Sequence, residues 1–176
     1  MPTAVGNSSY TFEFLSRLPD LDMPVYPVSD VALVQPTSAT RFLDGEFGLV
    51  DGATRKLRRP LAGDLAATEV QNRLYHVHGN PGRSDLQYGV YPVVRQDDYQ
   101  FRTRLHSANL SAPVALAEGD LCEVVLGDVV VLGTTHLGRT VLQPAASGSF
   151  AVAVCVTAPD SATGWAVFRK HTVLVP

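Results

Sequence analysis

From residue 28 to the end of the chain, apolar positions fall in short β-branched runs separated by turn residues, the pattern of a sandwich or barrel. Val28 to Val34, Phe47 to Val50, Arg73 to His78, Gln87 to Val94 and Tyr99 to Leu105 are predicted strands. Asp51-Gly52 followed by Thr54 to Arg58 predicts a tight hairpin, and Gly79-Asn-Pro-Gly82 another turn. Tyr99, Phe101, Thr103 and Leu105 alternate with Gln100, Arg102, Arg104 and His106, which assigns the first set to a core and the second to water. Leu121 to Leu126, Val129 to Thr134, Thr140 to Gln143, Phe150 to Thr157 and Trp165 to Val175 follow, with turns at Gly127-Asp128, Gly138-Arg139, Ser147-Gly148 and Asp160 to Gly164. In the Phe150 run one side is large and the other small, as in a strand buried on both faces. Strands this closely spaced predict an all-β domain, a compact antiparallel β-barrel or sandwich, over residues 28–176. The one helix predicted within it is Leu65 to Asn72, capped by Asp64.

Residues 1–27 read differently. Pro2, Pro19, Pro24 and Pro27 space out a short apolar segment, Tyr10-Thr-Phe-Glu-Phe-Leu15, and predict an extended N-terminal arm. Tyr10, Phe12 and Leu15 share a side if the segment is helical; Tyr10, Phe12 and Phe14 share one if it is extended. Either form leaves aromatic rings in need of cover, on their own domain or on a neighbouring subunit. The second reading makes Tyr10, Phe12, Phe14 and Leu15 candidate contact residues.

The 176 residues suffice for one domain that buries about 70% of its unfolded surface. With 45% hydrophobic and 18% charged residues the chain is too apolar for disorder and poorly charged for an ordinary surface. A formal charge of -3 argues against direct nucleic-acid binding, which needs a basic footprint. Cys122 and Cys155 lie in apolar runs and read as two buried free thiols; a disulfide needs geometry that sequence does not provide. No signal-peptide pattern follows Met1 and no run reaches a membrane span, so the chain is expected in a cytoplasm-like compartment with no membrane partner.

Few motifs point to chemistry. His76-Val-His78 places two imidazoles on one strand face, as metal-binding cupin barrels do, but the next acid is Asp85, and His106, His136 and His171 are scattered. There is no Gly-x-Ser-x-Gly, phosphate loop or Cys-x-x-Cys, and therefore no expected catalytic residue or cofactor. Asp97 and Asp98 read as a solvated hairpin tip. The basic cluster Arg55-Lys56-Leu57-Arg58-Arg59 suits an acidic partner or nucleic acid, pairing with neighbouring carboxylates, or protection of a strand edge.

Three stretches together resemble the capsid decoration, or cement, proteins of tailed bacteriophages: Leu43-Asp-Gly-Glu-Phe-Gly-Leu-Val-Asp-Gly-Ala-Thr-Arg-Lys-Leu57, Ala117-Glu-Gly-Asp-Leu-Cys-Glu-Val124, and Leu142 to Pro159 with Gly164-Trp-Ala-Val-Phe168. The resemblance spans about residues 43 to 175 and implies a virion protein without catalysis, made in the host cytoplasm and bound to the capsid exterior. Its partner would be the major capsid protein, with self-association as a trimer in preference to a dimer. Arg55, Lys56, Arg58 and Arg59 would join the arm as capsid or subunit contacts. Two alternatives stand beside it: another β-rich phage part (tail tube, head completion or fibre-associated), and a small cupin-like metal enzyme using His76 and His78.

Overall fold

A computed structural model describes residues 11–15, 24–27, 42–78, 90–95 and 97–176. The described strands are β1 (Phe12–Phe14), β2 (Val25–Pro27), β3 (Phe47–Val50), β4 (Leu57–Arg58), β5 (Leu74–Val77), β6 (Val90–Val94), β7 (Gln100–Thr103), β8 (Leu121–Val131), β9 (Thr134–Pro144), β10 (Phe150–Thr157) and β11 (Ala166–Leu174). They form two antiparallel sheets, ordered β1-β7-β11-β10-β8-β9 and β2-β6-β5-β3-β4. Among the described residues the two sheets make a sandwich and do not close into a barrel. Its main core joins Phe47, Leu49 and Leu74 of the second sheet to Phe101, Val124, Val152 and Phe168 of the first. A second cluster, with Tyr26, Leu57, Val77, Tyr91 and Val93, covers the opposite face of the second sheet.

Alternation explains which face each strand buries. Tyr99, Phe101, Thr103 and Leu105 are all buried, and β10 has the bounds its pattern predicts. His106 breaks the pattern. The β7 ladder ends at Thr103, and the chain turns His106 inward, where its Nε2 lies 2.8 Å from the Gly164 carbonyl oxygen.

Three predicted turns are corrected. Gly127-Asp128 and Gly138-Arg139 lie within a single long hairpin, β8–β9, at a bulge where Gly127 pairs with Arg139 and Val129 with His136. Gly127 is small because Leu110 lies over it: a Cβ there would stand 2.5 Å from Leu110 Cδ2. The reversal falls instead at Leu132-Gly133, both left-handed (φ 49° and 79°), the requirement of a two-residue type I′ hairpin. Asp51-Gly52 opens the predicted hairpin, β3 pairing with β4, but through a loop wider than a tight turn, in which Asp51 Oδ1 accepts hydrogen bonds from the Ala53 and Thr54 amides at 3.0 and 2.7 Å. The helix predicted over 65–72 is replaced by one α-turn, Ala62–Leu65, and a 3₁₀ segment, Thr68–Arg73. Asp64 sits inside the α-turn, where its carboxylate takes the Leu61 amide (2.7 Å) and the Arg58 guanidinium (2.6 Å). Arg58 holds its carboxyl down at about 2.

The segment read as an arm contributes to the core. β1 pairs with β7 in the extended form, Phe12 opposite Thr103 and Phe14 opposite Phe101. Phe12 is 1% exposed, and its ring packs on Gly45, whose left-handed backbone (φ 84°) and missing Cβ make the room. Tyr26 of β2 is buried in the second cluster. Tyr10, the 28–34 strand and the 79–82 turn lie outside the described residues.

Candidate functional site

The histidine pair is the first place to look for chemistry. Leu74 and His76 of β5, and His78 just after it, are turned into the sandwich, and both imidazoles are buried. His76 Nδ1 is hydrogen-bonded to the Tyr99 hydroxyl, and its ring sits among Phe12, Phe47 and Phe101 at centroid distances of 5.1, 4.1 and 4.5 Å. Burial pushes this imidazole well below its ordinary pKa and the Tyr99 phenol well above its own, so both stay neutral. His78 Nδ1 lies 2.9 Å from Asp44 Oδ1. Among the described residues no three His, Cys, Asp or Glu side chains group closely enough to hold a metal ion. Cys122 and Cys155 are free and buried, and burial raises both thiols, Cys155 to about 11, which removes their nucleophilic form near neutral pH.

A second buried polar cluster clasps the two sheets. Glu46, fully buried just before β3, accepts hydrogen bonds from the Leu43 amide (2.6 Å), Arg139 Nη1 of β9 (3.2 Å) and Arg59 Nη2 (3.4 Å). Beside it, Thr140 Oγ1 of β9 accepts from the Phe47 amide at 2.8 Å. The first sheet's outermost strand is thus tied to the second by a carboxylate with several donors, the condition under which a buried charge is tolerated.

The predicted basic cluster does not form one patch. Strand alternation and the loop before it send its members apart: Arg58 to Asp64, Arg59 inward to Glu46, Lys56 to solvent. Arg55, held left-handed at φ 56°, turns to the outer side of the second sheet. There it joins Arg73, Arg95, Tyr26, Tyr75 and Asp51 around a recess of about 160 Å³. Sequence reasoning missed this group because its members come from the 51–56 loop, the 3₁₀ segment and the ends of three strands. No local spacing marks it; only the strand order β2-β6-β5-β3 brings it together.

The remaining candidate contacts divide as well. Phe12 is consumed in its own core and offers no surface to a neighbour, which overturns its expected contact role. Phe14 is half-buried against His78 and Tyr99, while Leu15 remains 44% exposed. Among the described residues the two most exposed large apolar side chains are elsewhere, on the β8–β9 hairpin: Leu132 at its tip (69% exposed) and Leu137 at the bulge (73%). Val130 is exposed on the same hairpin, and β9 ends the sheet. Reading Gly127-Asp128 as a turn hid this hairpin in the sequence; the alternation of Val129 and Val131 (buried) with Val130 (exposed) is the signal that exposes it.

No protein-family model matches the chain, and neither the curated proteins nor the solved structures contain a significant match.

Proposed function

We propose that this chain is a non-catalytic virion protein that binds the outside of a tailed-phage capsid lattice and stabilises the head. The observation that carries this reading is the β8–β9 hairpin, a long edge element with apolar side chains exposed at tip and bulge. Exposed apolar surface of this kind marks contact sites, and many weak copies on a repeating lattice reinforce one another. The enzyme-like groups His76, His78, Tyr99 and Glu46 support it too, since they are committed to holding the sandwich together. The partner in this proposal is the major capsid protein, with self-association as a trimer. Phe12 leaves the set of contact residues, Leu15 stays in it, and Leu132 and Leu137 join it.

Co-sedimentation with DNA-free heads of the phage that encodes the chain tests the reading. The wild-type protein should pellet with heads. A Leu132→Ser, Leu137→Ser variant should stay in the supernatant while keeping its unfolding midpoint. Failure of the wild type to pellet refutes head binding, and undiminished pelleting of the variant refutes the hairpin as its contact. The other virion reading, a tail or head-completion part, makes a different prediction: association with tails or connectors and none with the shell.

A further inference from the structure

The arginine recess is independent of any role on a capsid. We propose that the recess among Arg55, Arg73 and Arg95 binds the oxyanion of a small ligand, a carboxylate, sulfate or phosphate group, through guanidinium forks and the hydroxyls of Tyr26 and Tyr75. The first argument is charge. In an acidic chain most described cations have a partner: Arg58 has Asp64, Arg59 and Arg139 share Glu46, Arg102 has Glu13, Arg169 has Asp98 and Lys170 has Asp97. Arg55, Arg73 and Arg95 have no carboxylate or other acceptor for their guanidiniums among the described residues, yet all three line one concavity. Three cations gathered around a single carboxylate, Asp51, which pairs with none of them, repel one another, and an anion bound between them offsets that repulsion.

The second argument is the donor balance. Each guanidinium presents five N–H donors in a planar fork suited to oxyanions, and each phenol adds an O–H. Among the described residues Asp51 is the one carboxylate on the rim, and its Oδ1 is already occupied by Ala53 N, Thr54 N and Thr54 Oγ1. Donors therefore greatly exceed acceptors, the reverse of a cation site.

The third argument is that the recess is built. The Asp51 amide donates to the Lys56 carbonyl (3.0 Å) and the Arg55 amide to the Asp51 carbonyl (2.9 Å), which closes the loop and fixes Arg55 in a conformation that side chains other than glycine avoid. Arg73 reaches over Gly52, whose Cβ position is 3.7 Å from Nη2. Arg95 lies over the Tyr26 ring, 5.4 Å from its centroid.

Calorimetric titration at constant ionic strength, with inorganic phosphate, sulfate and glucuronate as probes and chloride as the control, tests the site. At least one probe should bind in excess of chloride. Phosphate preference would point to a phosphate ester, glucuronate preference to an acidic sugar, and sulfate preference to a sulfated ligand. Arg73→Gln and Arg95→Gln should each weaken binding about tenfold, the loss of one charge-assisted pair. Arg55→Gly should weaken it similarly while leaving the unfolding midpoint equal or higher, because glycine accepts the left-handed backbone. Asp51→Asn retains the Oδ1 acceptor of the loop and removes a repelling charge, so it should tighten binding, whereas damage to the loop would weaken it. No binding above chloride by any probe overturns the proposal. So does binding indifferent to the arginine substitutions, or weakened by Asp51→Asn.

Discussion

Phe12→Ala separates a peripheral arm from a strand of the core. The ring is 1% exposed and meets Phe14, His76 and Phe101 at centroid distances of 4.7, 5.1 and 5.4 Å. Truncating a buried Phe costs about 3–5 kcal/mol, from lost transfer energy and the cavity left behind. Collapse is limited here, because the ring sits on backbone at Gly45 and against rings fixed by β5 and β7. With a urea slope of about 2 kcal/mol/M, the unfolding midpoint should fall by about 2 M with the slope unchanged. Leu15→Ala, three residues along and 44% exposed, is the control and should change stability by less than about 0.5 kcal/mol. Equilibrium urea denaturation followed by circular dichroism measures both. A Phe12→Ala midpoint within about 0.3 M of wild type would refute the placement of β1 in the core. Excision of residues 1–27 should likewise destabilise the domain, contrary to the independent arm that proline spacing suggests.

Two further predictions follow from the buried polar groups. Glu46→Ala leaves Arg139 buried without its carboxylate; the cost should be about 3–5 kcal/mol, seen as a melting midpoint lower by about 10 °C in calorimetry, and a shift under 3 °C would contradict the clasp. His106 has its pKa lowered from 6.5 to about 4, chiefly by burial. The unfolded chain therefore binds the extra proton first as pH falls. The stability tied to neutral His106 is complete above about pH 6.5 and is lost between there and about pH 4, up to about 3 kcal/mol. Buried His76 adds a contribution of the same sign. Urea midpoints from pH 7.5 to 4.5 should decline, and His106→Gln should flatten the slope; an identical slope in the variant would remove His106 from the account.

Legibility in the sequence tracked locality. The bounds of β10 and the inward set Tyr99, Phe101, Thr103 and Leu105 were readable, because a period of two under burial leaves little freedom. The β8–β9 hairpin was misread for two physical reasons. Gly127 is required by Leu110 packing against it and not by a reversal, and the true turn places Leu132 where a glycine or asparagine is the usual occupant. His106 follows the alternation in sequence but lies beyond the end of its ladder. Phe12 as a contact residue failed because proline spacing says nothing about which sheet edge is open. Of the basic run, only Arg55 reaches the recess, and its companions Arg73 and Arg95 arrive through sheet order, which one-dimensional spacing does not encode.

The proposed role is tested most directly by a low-resolution image of the native phage head, before and after the protein is stripped from it. Separate knobs are expected on the outer surface where several capsid subunits meet, lost on stripping and restored by adding back the wild-type chain but not the Leu132→Ser, Leu137→Ser variant. A shell unchanged by stripping, with the protein in the tail or absent from the particle, would contradict it.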